Sequence, residues 1–527
     1  MVKQQRSPGT SLPARQTPRR SPVRRRVLIA VAAVCAALGG LLTLVTLLPQ
    51  EPRPAPRPPV PGPRAQALTA VTAGVPASLS ELAALIADRE SRLRTRPGDG
   101  RAWAVLGAAY VEQGRRTADA AYFPRADQAL RASLRELPRG NAEALGGLAA
   151  LANERRDFPA ARGWGEAALK LAPKRWSTYP PLIDAYTGLG DYKAARKALD
   201  KLLKLHTGPA VMARAAAVYR DRGWREDAAA QLADAAAGAQ GPAERAAWLE
   251  RAGELAWERG DREDALRHFE AAVRIDPDQR AAQAGQGRVL AALGRTSEAL
   301  NAYQVALAKQ PCPEYALELG ELYESLGLAQ AARVQYDTLR VRVAKDETGG
   351  VDDELLLGRF EADHGDARDA VRRLRDEWRR QPGIEVADAL GWALHRAGQD
   401  AEALRFAGIT TDRAHGGGMR VALYVFHQGM IEWSAERNAE RGAGRSGAAR
   451  RHLREALQIN PYFSPLRVPL AREALAALGE PPDVAVPGGD GQEGPDSHDG
   501  QDTRDAKVTQ DAKPAVRGPV RRPVRGR

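Results

Sequence analysis

Residues 253–277 read GELAWERGDREDALRHFEAAVRIDP, and residues 287–311 read GRVLAALGRTSEALNAYQVALAKQP. Both stretches place a small residue, a glycine, an aromatic residue, an alanine and a proline at the same relative positions. The pairs, each displaced by 34 residues, are Gly253 and Gly287, Gly260 and Gly294, Phe269 and Tyr303, Ala272 and Ala306, and Pro277 and Pro311. The order of these residues predicts a helix, a turn at the second glycine, a second helix and a stop at the proline.

The same skeleton continues in both directions, from Trp103 to Pro461, and divides residues 100–461 into ten units. Units five and six, which contain these two stretches, match at nearly every position. The ninth unit degrades into a glycine-rich loop at 416–418, and the tenth is interrupted near 438–447. One hairpin cannot bury its apolar face alone, so the units must stack into one elongated superhelix.

The 34-residue pattern resembles that of the tetratricopeptide repeat family. This resemblance implies an all-α solenoid that acts as a scaffold for protein partners, without catalysis. Small residues such as Gly253 let two helices approach closely, and Phe269 fills the space between hairpins. We expect the turn glycines to adopt the left-handed conformation that ends a helix. These glycines are Gly260, Gly294, Gly327, Gly365 and Gly398.

The solenoid domain is predicted to span residues 77–479, with a capping helix at each end. At the N-terminal end, Ser78–Arg94 reads as a helix with Ser78 or Ser80 as its N-cap. At the C-terminal end, Leu466–Leu478 reads as an amphipathic capping helix.

The N-terminal segment predicts a membrane anchor. Residues 1–26 carry eight Lys or Arg and no acidic residue, and Val27–Leu48 carries no charge. A helix over Val27–Leu48 spans about 33 Å, enough for the hydrocarbon core of a bilayer. Because basic flanks stay in the cytoplasm, we expect a single-pass protein with a cytoplasmic, disordered arm and extracytoplasmic repeats. A cleaved signal peptide is the alternative.

Two further segments have biased compositions. Residues 49–76 are rich in Pro and Arg, which predicts an extended linker. Residues 480–527 lack an apolar pattern and carry acidic and then basic blocks, which predicts a disordered tail. Lys accounts for only 11 of 78 basic residues, and the abundance of Ala, Arg, Gly and Pro is typical of a bacterium with a GC-rich genome.

Charge and motifs exclude several classes of function. The formal net charge is +12, but the basic arm contributes +8 and five arginines near the C-terminus contribute +5. The repeats are therefore close to neutral, and we expect no nucleic-acid binding by them.

No phosphate-binding, nucleophile-elbow or zinc motif is present, so we expect no catalytic residue, cofactor or metal. A GxGxxG match at 442–447 lies in the irregular tenth unit and has no strand before it. The histidines stand singly, and we expect His268, His395, His427 and His452 to be surface or packing residues.

The remaining candidate for recognition is the concave groove. Positions on the first helices that face inward in the family carry charged or large aromatic residues here, which suits capture of a peptide. The residues so placed are Asp184, Arg220, Glu250, Glu254, Trp257, Arg288, Glu321, Glu324, Arg359, Asp388, Trp392 and His395. Together with Glu314, the acidic members around units five to seven favour a partner segment with Lys or Arg, held over Trp257.

The sequence therefore predicts a membrane-anchored, extracytoplasmic scaffold with protein or peptide partners. Two alternatives remain. The chain is an assembly or accessory factor for a membrane complex or transporter, or, in the less favoured case, an enzyme subunit with chemistry in the irregular 408–447 region.

Overall fold

The computed structural model describes residues 33, 62–412, 418–437 and 446–479. Within these ranges the chain forms 23 α-helices and a short 3-10 helix at Trp176–Thr178, without strands. The helices are α1 Pro63–Ala73, α2 Leu79–Thr95, α3 Gly100–Thr117, α4 Tyr122–Glu136, α5 Ala142–Glu154, α6 Phe158–Leu171, α7 Tyr179–Gly188, α8 Tyr192–Leu205, α9 Pro209–Asp221, α10 Arg225–Gly238, α11 Pro242–Glu258, α12 Arg262–Ile275, α13 Arg280–Ala292, α14 Thr296–Lys309, α15 Pro313–Ser325, α16 Ala329–Glu347, α17 Glu354–His364, α18 Ala367–Arg380, α19 Ile384–Arg396, α20 Asp400–Thr411, α21 Ala422–Arg437, α22 Ser446–Ile459 and α23 Arg467–Leu478.

The ten predicted units are ten helical hairpins, from α3–α4 to α21–α22, and each hairpin packs on the next. The all-helical solenoid is thus confirmed. Helix α2 begins after Ser78, whose side chain accepts from the backbone N–H of Glu81 while the Glu81 side chain accepts from the backbone N–H of Ser78. This capping box confirms the predicted N-terminal cap. Helix α23 forms the predicted cap at the other end.

The 34-residue signature has a direct steric cause. The ring of Phe269 is fully buried between Gly253 of its own hairpin and Gly285 of the next one. A Cβ added at either glycine would lie only 2.6 Å or 2.5 Å from the ring. The aromatic residue of one helix therefore requires glycine on both facing helices. Gly287 meets the ring of Tyr303 in the same way, one unit later.

The predicted turn glycines behave alike with one exception. Gly260, Gly294, Gly327 and Gly398 have φ between 74° and 81°, the left-handed conformation that ends a helix. Gly365 does not: its φ is −140° and it ends α17 in a different conformation. The prediction for Gly365 was wrong: this turn passes through an extended glycine, and Asp366 then caps α18 by accepting from the N–H of Arg368.

Part of the predicted linker is helical. Within residues 49–76, Pro63–Ala73 forms α1, which begins with a proline at its first turn and ends at Gly74 in the left-handed conformation. Its Ala67 is fully buried with Leu85 of α2 and Ala109 of α3. The expectation of an extended chain was wrong here, because the Pro and Arg content of the whole segment obscured a short apolar pattern after Pro63.

The solenoid coils so tightly that successive turns of the superhelix touch. The turn inside each of the first five hairpins contacts the linker that follows the hairpin five units later. We call these contacts the seam. They join Arg115 to Gln310, Arg155 to Gly349 and Asp352, Gly190 to Pro382, Gly223 to Gly418, Arg225 to Arg420, and Trp257 to Asn460. The offset in sequence between the two partners is nearly constant. The hydrogen bonds of Arg115, Arg155, Arg225 and Trp257 join residues that are 195, 194, 195 and 203 positions apart, respectively.

Polar groups dominate the seam. Arg155 donates to the carbonyl of Gly349 at 2.8 Å, and its own carbonyl accepts from the N–H of Asp352 at 2.9 Å. One further seam contact reaches the linker after the fifth hairpin, four units later: Arg116, at the end of α3, is buried and donates to Asp276 at 2.6 Å and to Gln279 at 2.8 Å. These contacts join successive turns of the superhelix along the side of the groove, so the concave face is bounded on this side.

Several sequence predictions lie outside the described residues. They concern the basic arm at 1–26, the anchor at 27–48 (of which only residue 33 is described), and the tail at 480–527. Among the helices that are described, none combines the length and the apolar character needed to cross a bilayer.

Candidate functional site

Among the described residues, two cavities lie along the inner side of the superhelix. The N-terminal cavity, about 720 Å³, lies between α1 and the inner faces of units one to five. The C-terminal cavity, about 600 Å³, lies between the inner faces of units five to ten and the segment 461–472. Each cavity is therefore covered at one side by a terminal segment of the same chain.

The N-terminal cavity combines an apolar cover with charged walls. Leu68 and Val71 of α1 and Val75 after it line the cover, and Val75 packs against Trp248 of unit five. The cover thus crosses the groove from the first hairpin to the fifth.

Two carboxyl groups in this cavity are forced toward the neutral form. Burial raises the pKa of Glu154 to about 7 and the pKa of Glu250 to about 7, and the neighbouring Glu254 adds to the effect on Glu250. Within the described part of the chain, neither carboxylate forms an ion pair or a side-chain hydrogen bond. Arg115 lies close by but is bound to Glu112 at 2.7 Å. The walls therefore hold acidic groups that a bound cation would stabilise in the charged form.

The acidic groups of the C-terminal cavity, in contrast, are largely paired within the chain. Arg467, at the start of α23, donates to Glu321 at 3.1 Å and to Asp363. Burial alone would raise the pKa of Glu321, but the guanidinium of Arg467 and the hydrogen bond to His364 lower it to about 2. The sequence predicted a partner arginine or lysine for this acidic face, and here the chain's own C-terminal segment provides an arginine.

Arg288 links Glu254 of the predicted groove to Glu318, which was not predicted. It donates to Glu254 at 2.7 Å and to Glu318 at 2.8 Å, and its guanidinium lies 5.9 Å from the ring centroid of Trp257. Trp257 is only 7% exposed, and its carbonyl accepts from Asn460. The aromatic face that was expected to hold a partner cation thus has Arg288 beside it.

The twelve residues proposed as a groove from the sequence divide into three sets. Two of them, Asp184 and Glu250, line the N-terminal cavity. Six line the C-terminal cavity, namely Trp257, Arg288, Glu321, Arg359, Asp388 and Trp392. The other four, Arg220, Glu254, Glu324 and His395, line neither cavity. Arg220 donates to Glu258 at 2.8 Å, and Glu324 accepts from the hydroxyl of Tyr336 at 2.7 Å.

Sequence reasoning missed the residues that come from outside the repeat pattern. Arg467 and the segment 461–465 follow the last hairpin, so no repeat position marked them as groove residues. Glu154 stands at the end of α5, where the family pattern gave no inward position. For Arg467 the sequence carries one weak signal: a basic residue directly after the last unit, opposite an acidic inner face.

Comparison with known proteins supports the repeats. A family model described as tetratricopeptide repeat matches residues 251–311 and 284–342. None of the curated proteins matches the chain.

Solved structures of low similarity also match. The human IFIT1 dimer with PPP-AAAA shares 17% identity over 65% of this chain and 80% of that chain, with a TM-score of 0.42. A tetratricopeptide repeat protein from Parabacteroides merdae shares 16% identity over 51% and 98%, with a TM-score of 0.29. PilF of Pseudomonas aeruginosa shares 18% identity over 37% and 88%, with a TM-score of 0.31. At these values the likeness carries no argument about function.

The ten stacked hairpins, the glycine–aromatic packing that recurs every 34 residues and the family model over residues 251–342 agree with one another. Residues 251–342 of this chain match the tetratricopeptide repeat, and they lie within a solenoid of ten stacked helical hairpins.

Proposed function

We propose that this chain is a membrane-anchored scaffold outside the cytoplasm that binds partner segments inside its superhelix. The observation that carries the proposal is the interior, which retains two cavities of about 720 and 600 Å³ after all described helices have packed. Cavities of this size with mixed apolar and charged walls suit the side chains of an extended or helical segment.

The charges of the interior favour a basic partner. Glu254 and Glu321, which the sequence offered as partner contacts, are held in ion pairs with Arg288 and Arg467. Glu154 and Glu250 in the N-terminal cavity carry no such pair among the described residues. A Lys or Arg side chain placed against either carboxylate restores its charged form and forms a strong, charge-assisted hydrogen bond.

The decisive experiment is affinity capture from detergent-solubilised membranes with the full-length chain as bait. We expect the Glu154→Gln/Glu250→Gln double variant to bind the captured partner about tenfold more weakly, as expected for loss of a charge-assisted hydrogen bond. Glu263→Gln is the matched control, because Glu263 is an exposed glutamate outside both cavities. Equal affinity of the double variant and the control would place recognition elsewhere. Capture of bilayer-embedded partners alone would instead favour the assembly-factor alternative.

The anchored topology rests on residues 1–48 of the sequence. A reporter that is active only outside the cytoplasm, fused after Gly479, should be active. Replacement of Arg24, Arg25 and Arg26 by Glu should lower this activity, because the arm is then less strongly retained in the cytoplasm. Activity of a cytoplasm-specific reporter at the same junction would contradict the proposed topology.

A further inference from the structure

A buried histidine in the wall of the C-terminal cavity is held in a defined orientation. His427 of α21 is 4% exposed, and its Nδ1 lies 3.0 and 3.1 Å from the two carboxylate oxygens of Asp388 in α19. Its ring stacks on Trp392, with ring centroids 4.2 Å apart and planes at 17°. All three residues line the cavity. The sequence interpretation of His427 as a packing residue accounts for the stacking but not for the state of its second ring nitrogen.

That nitrogen, Nε2 of His427, has no partner. It is buried and makes no hydrogen bond to any described residue. Because Asp388 can only accept, Nδ1 carries a hydrogen, and in the tautomer with that single hydrogen Nε2 has a free lone pair. A buried polar atom without a partner costs free energy that a ligand can recover.

The surroundings of this nitrogen select the charge of the ligand. The carboxylate of Asp388 is 4% exposed, and among the described residues its only ion-pair partner is His427. The guanidinium of Arg359, in the same wall, is 3.7 Å from Glu385. In the tautomer with one ring hydrogen the pair of Asp388 and His427 carries one negative charge, and the lining of the same cavity includes the apolar side chains of Leu356 and Leu423.

We propose that the Asp388–His427 pair is a binding subsite for a primary ammonium group on an alkyl chain, the group carried by a lysine side chain. The ammonium donates a hydrogen bond to Nε2, and its charge balances Asp388 through the ring. The alkyl chain lies along the apolar wall of the cavity. Where the lysine belongs to a partner segment, the subsite rests on the function proposed above. It then specifies that the partner places a lysine side chain in the C-terminal cavity.

The subsite is tested with n-butylammonium on the full-length chain, its histidine rings labelled with ¹⁵N and observed by magic-angle-spinning NMR. The ¹⁵N signal of His427 Nε2 is assigned by its absence from the spectrum of a His427→Phe variant. This signal should shift when n-butylammonium is added. Sodium butyrate at equal ionic strength should leave it unchanged. No shift, or the same shift with both compounds, would overturn the proposal and leave the scaffold function standing.

A second variant covers the case in which His427→Phe fails to fold. Asp388→Asn removes the charge but keeps the shape of the side chain, and it should weaken n-butylammonium binding about tenfold. Unchanged binding by Asp388→Asn would contradict the assigned role of the carboxylate.

The source of the ammonium is distinguished with the captured partner itself. Acetylation of its lysines should lower its affinity for the chain about tenfold, since the acetylated side chain cannot supply the charge. If n-butylammonium binds but acetylation has no effect, the subsite takes a free amine, and the assignment to a partner lysine is wrong.

Discussion

The repeat core and the seam are built from different kinds of contact. In the core, Phe269 meets Gly253 and Gly285, two residues within one repeat length, and every group is apolar. In the seam, Arg116 meets Asp276 and Gln279, 160 and 163 residues away, and these three side chains are polar. The core determines how one hairpin packs on the next. The seam determines how far the superhelix is wound.

The difference explains why an open groove becomes an interior. Nearest-neighbour packing alone defines a solenoid with an accessible concave face. Contacts between successive turns add a second, long-range set of constraints, and these cover the groove and leave two cavities. Loss of core contacts should therefore unfold hairpins, whereas loss of seam contacts should open the coil while the hairpins stay folded.

The largest expected effect comes from the core. Phe269→Ala removes a fully buried ring between two glycines and should cost about 3–5 kcal/mol, since the glycines provide no side chain to fill the cavity. Hydrogen exchange should show the loss in units five and six first, as expected for nearest-neighbour coupling. Uniform destabilisation of all ten units would mean that the seam couples the whole chain.

A buried ion pair of the seam should give the next largest effect. Arg116→Met leaves Asp276 buried without its partner and should cost about 3 kcal/mol. We expect a larger radius of gyration by small-angle X-ray scattering, with unchanged helical content by circular dichroism. The Arg116→Met/Asp276→Leu double variant should recover much of the compact form. Arg131→Met, which removes an exposed i,i+4 pair with Asp127, is the control. Equal scattering from Arg116→Met and Arg131→Met would contradict a closed coil.

Acid should open the C-terminal end of the coil before it unfolds the hairpins. The pKa of Glu321 in the folded chain, about 2, is below its ordinary value of 4.5, so its pair with Arg467 stabilises the fold above pH 4.5. This contribution is lost as the pH falls from about 4.5 toward 2. Denaturant titrations should show the loss in the parent chain and a smaller one in Glu321→Gln. An identical pH profile for both chains would contradict the assignment.

The smallest effect concerns the N-terminal cavity and has the opposite sign. The pKa of Glu250 in the folded chain is about 7, above its ordinary value of 4.5. Its contribution to stability is therefore complete below pH 4.5 and lost as the pH rises through about 7. Glu250→Gln should raise the denaturation midpoint at pH 8 and leave it unchanged at pH 4. A change of equal size at both values would indicate a packing effect.

Structural features that recur with the 34-residue repeat could be predicted from the sequence. The hairpins, their order, both capping helices and the inward position of Glu250 and Trp392 all follow from local pattern. The seam could not be predicted, because Arg116 and Asp276 meet only at one particular winding of the superhelix. The same holds for Arg467, whose partners Glu321 and Asp363 lie on helices that no repeat position links to α23. Helix α1 was missed because its eleven residues are set in a proline-rich segment.

The nearly constant seam offset also limits how such a chain can evolve. Solenoids commonly gain or lose whole repeats, since each unit contacts only its neighbours. Here, an added unit between Arg155 and Gly349 would move every later linker by one hairpin relative to the first turn. Arg155 would then meet the linker of a different unit, and every seam contact whose two partners flank the insertion would change register. Duplication of a single unit, which only lengthens an open solenoid, would therefore disrupt the winding of this one.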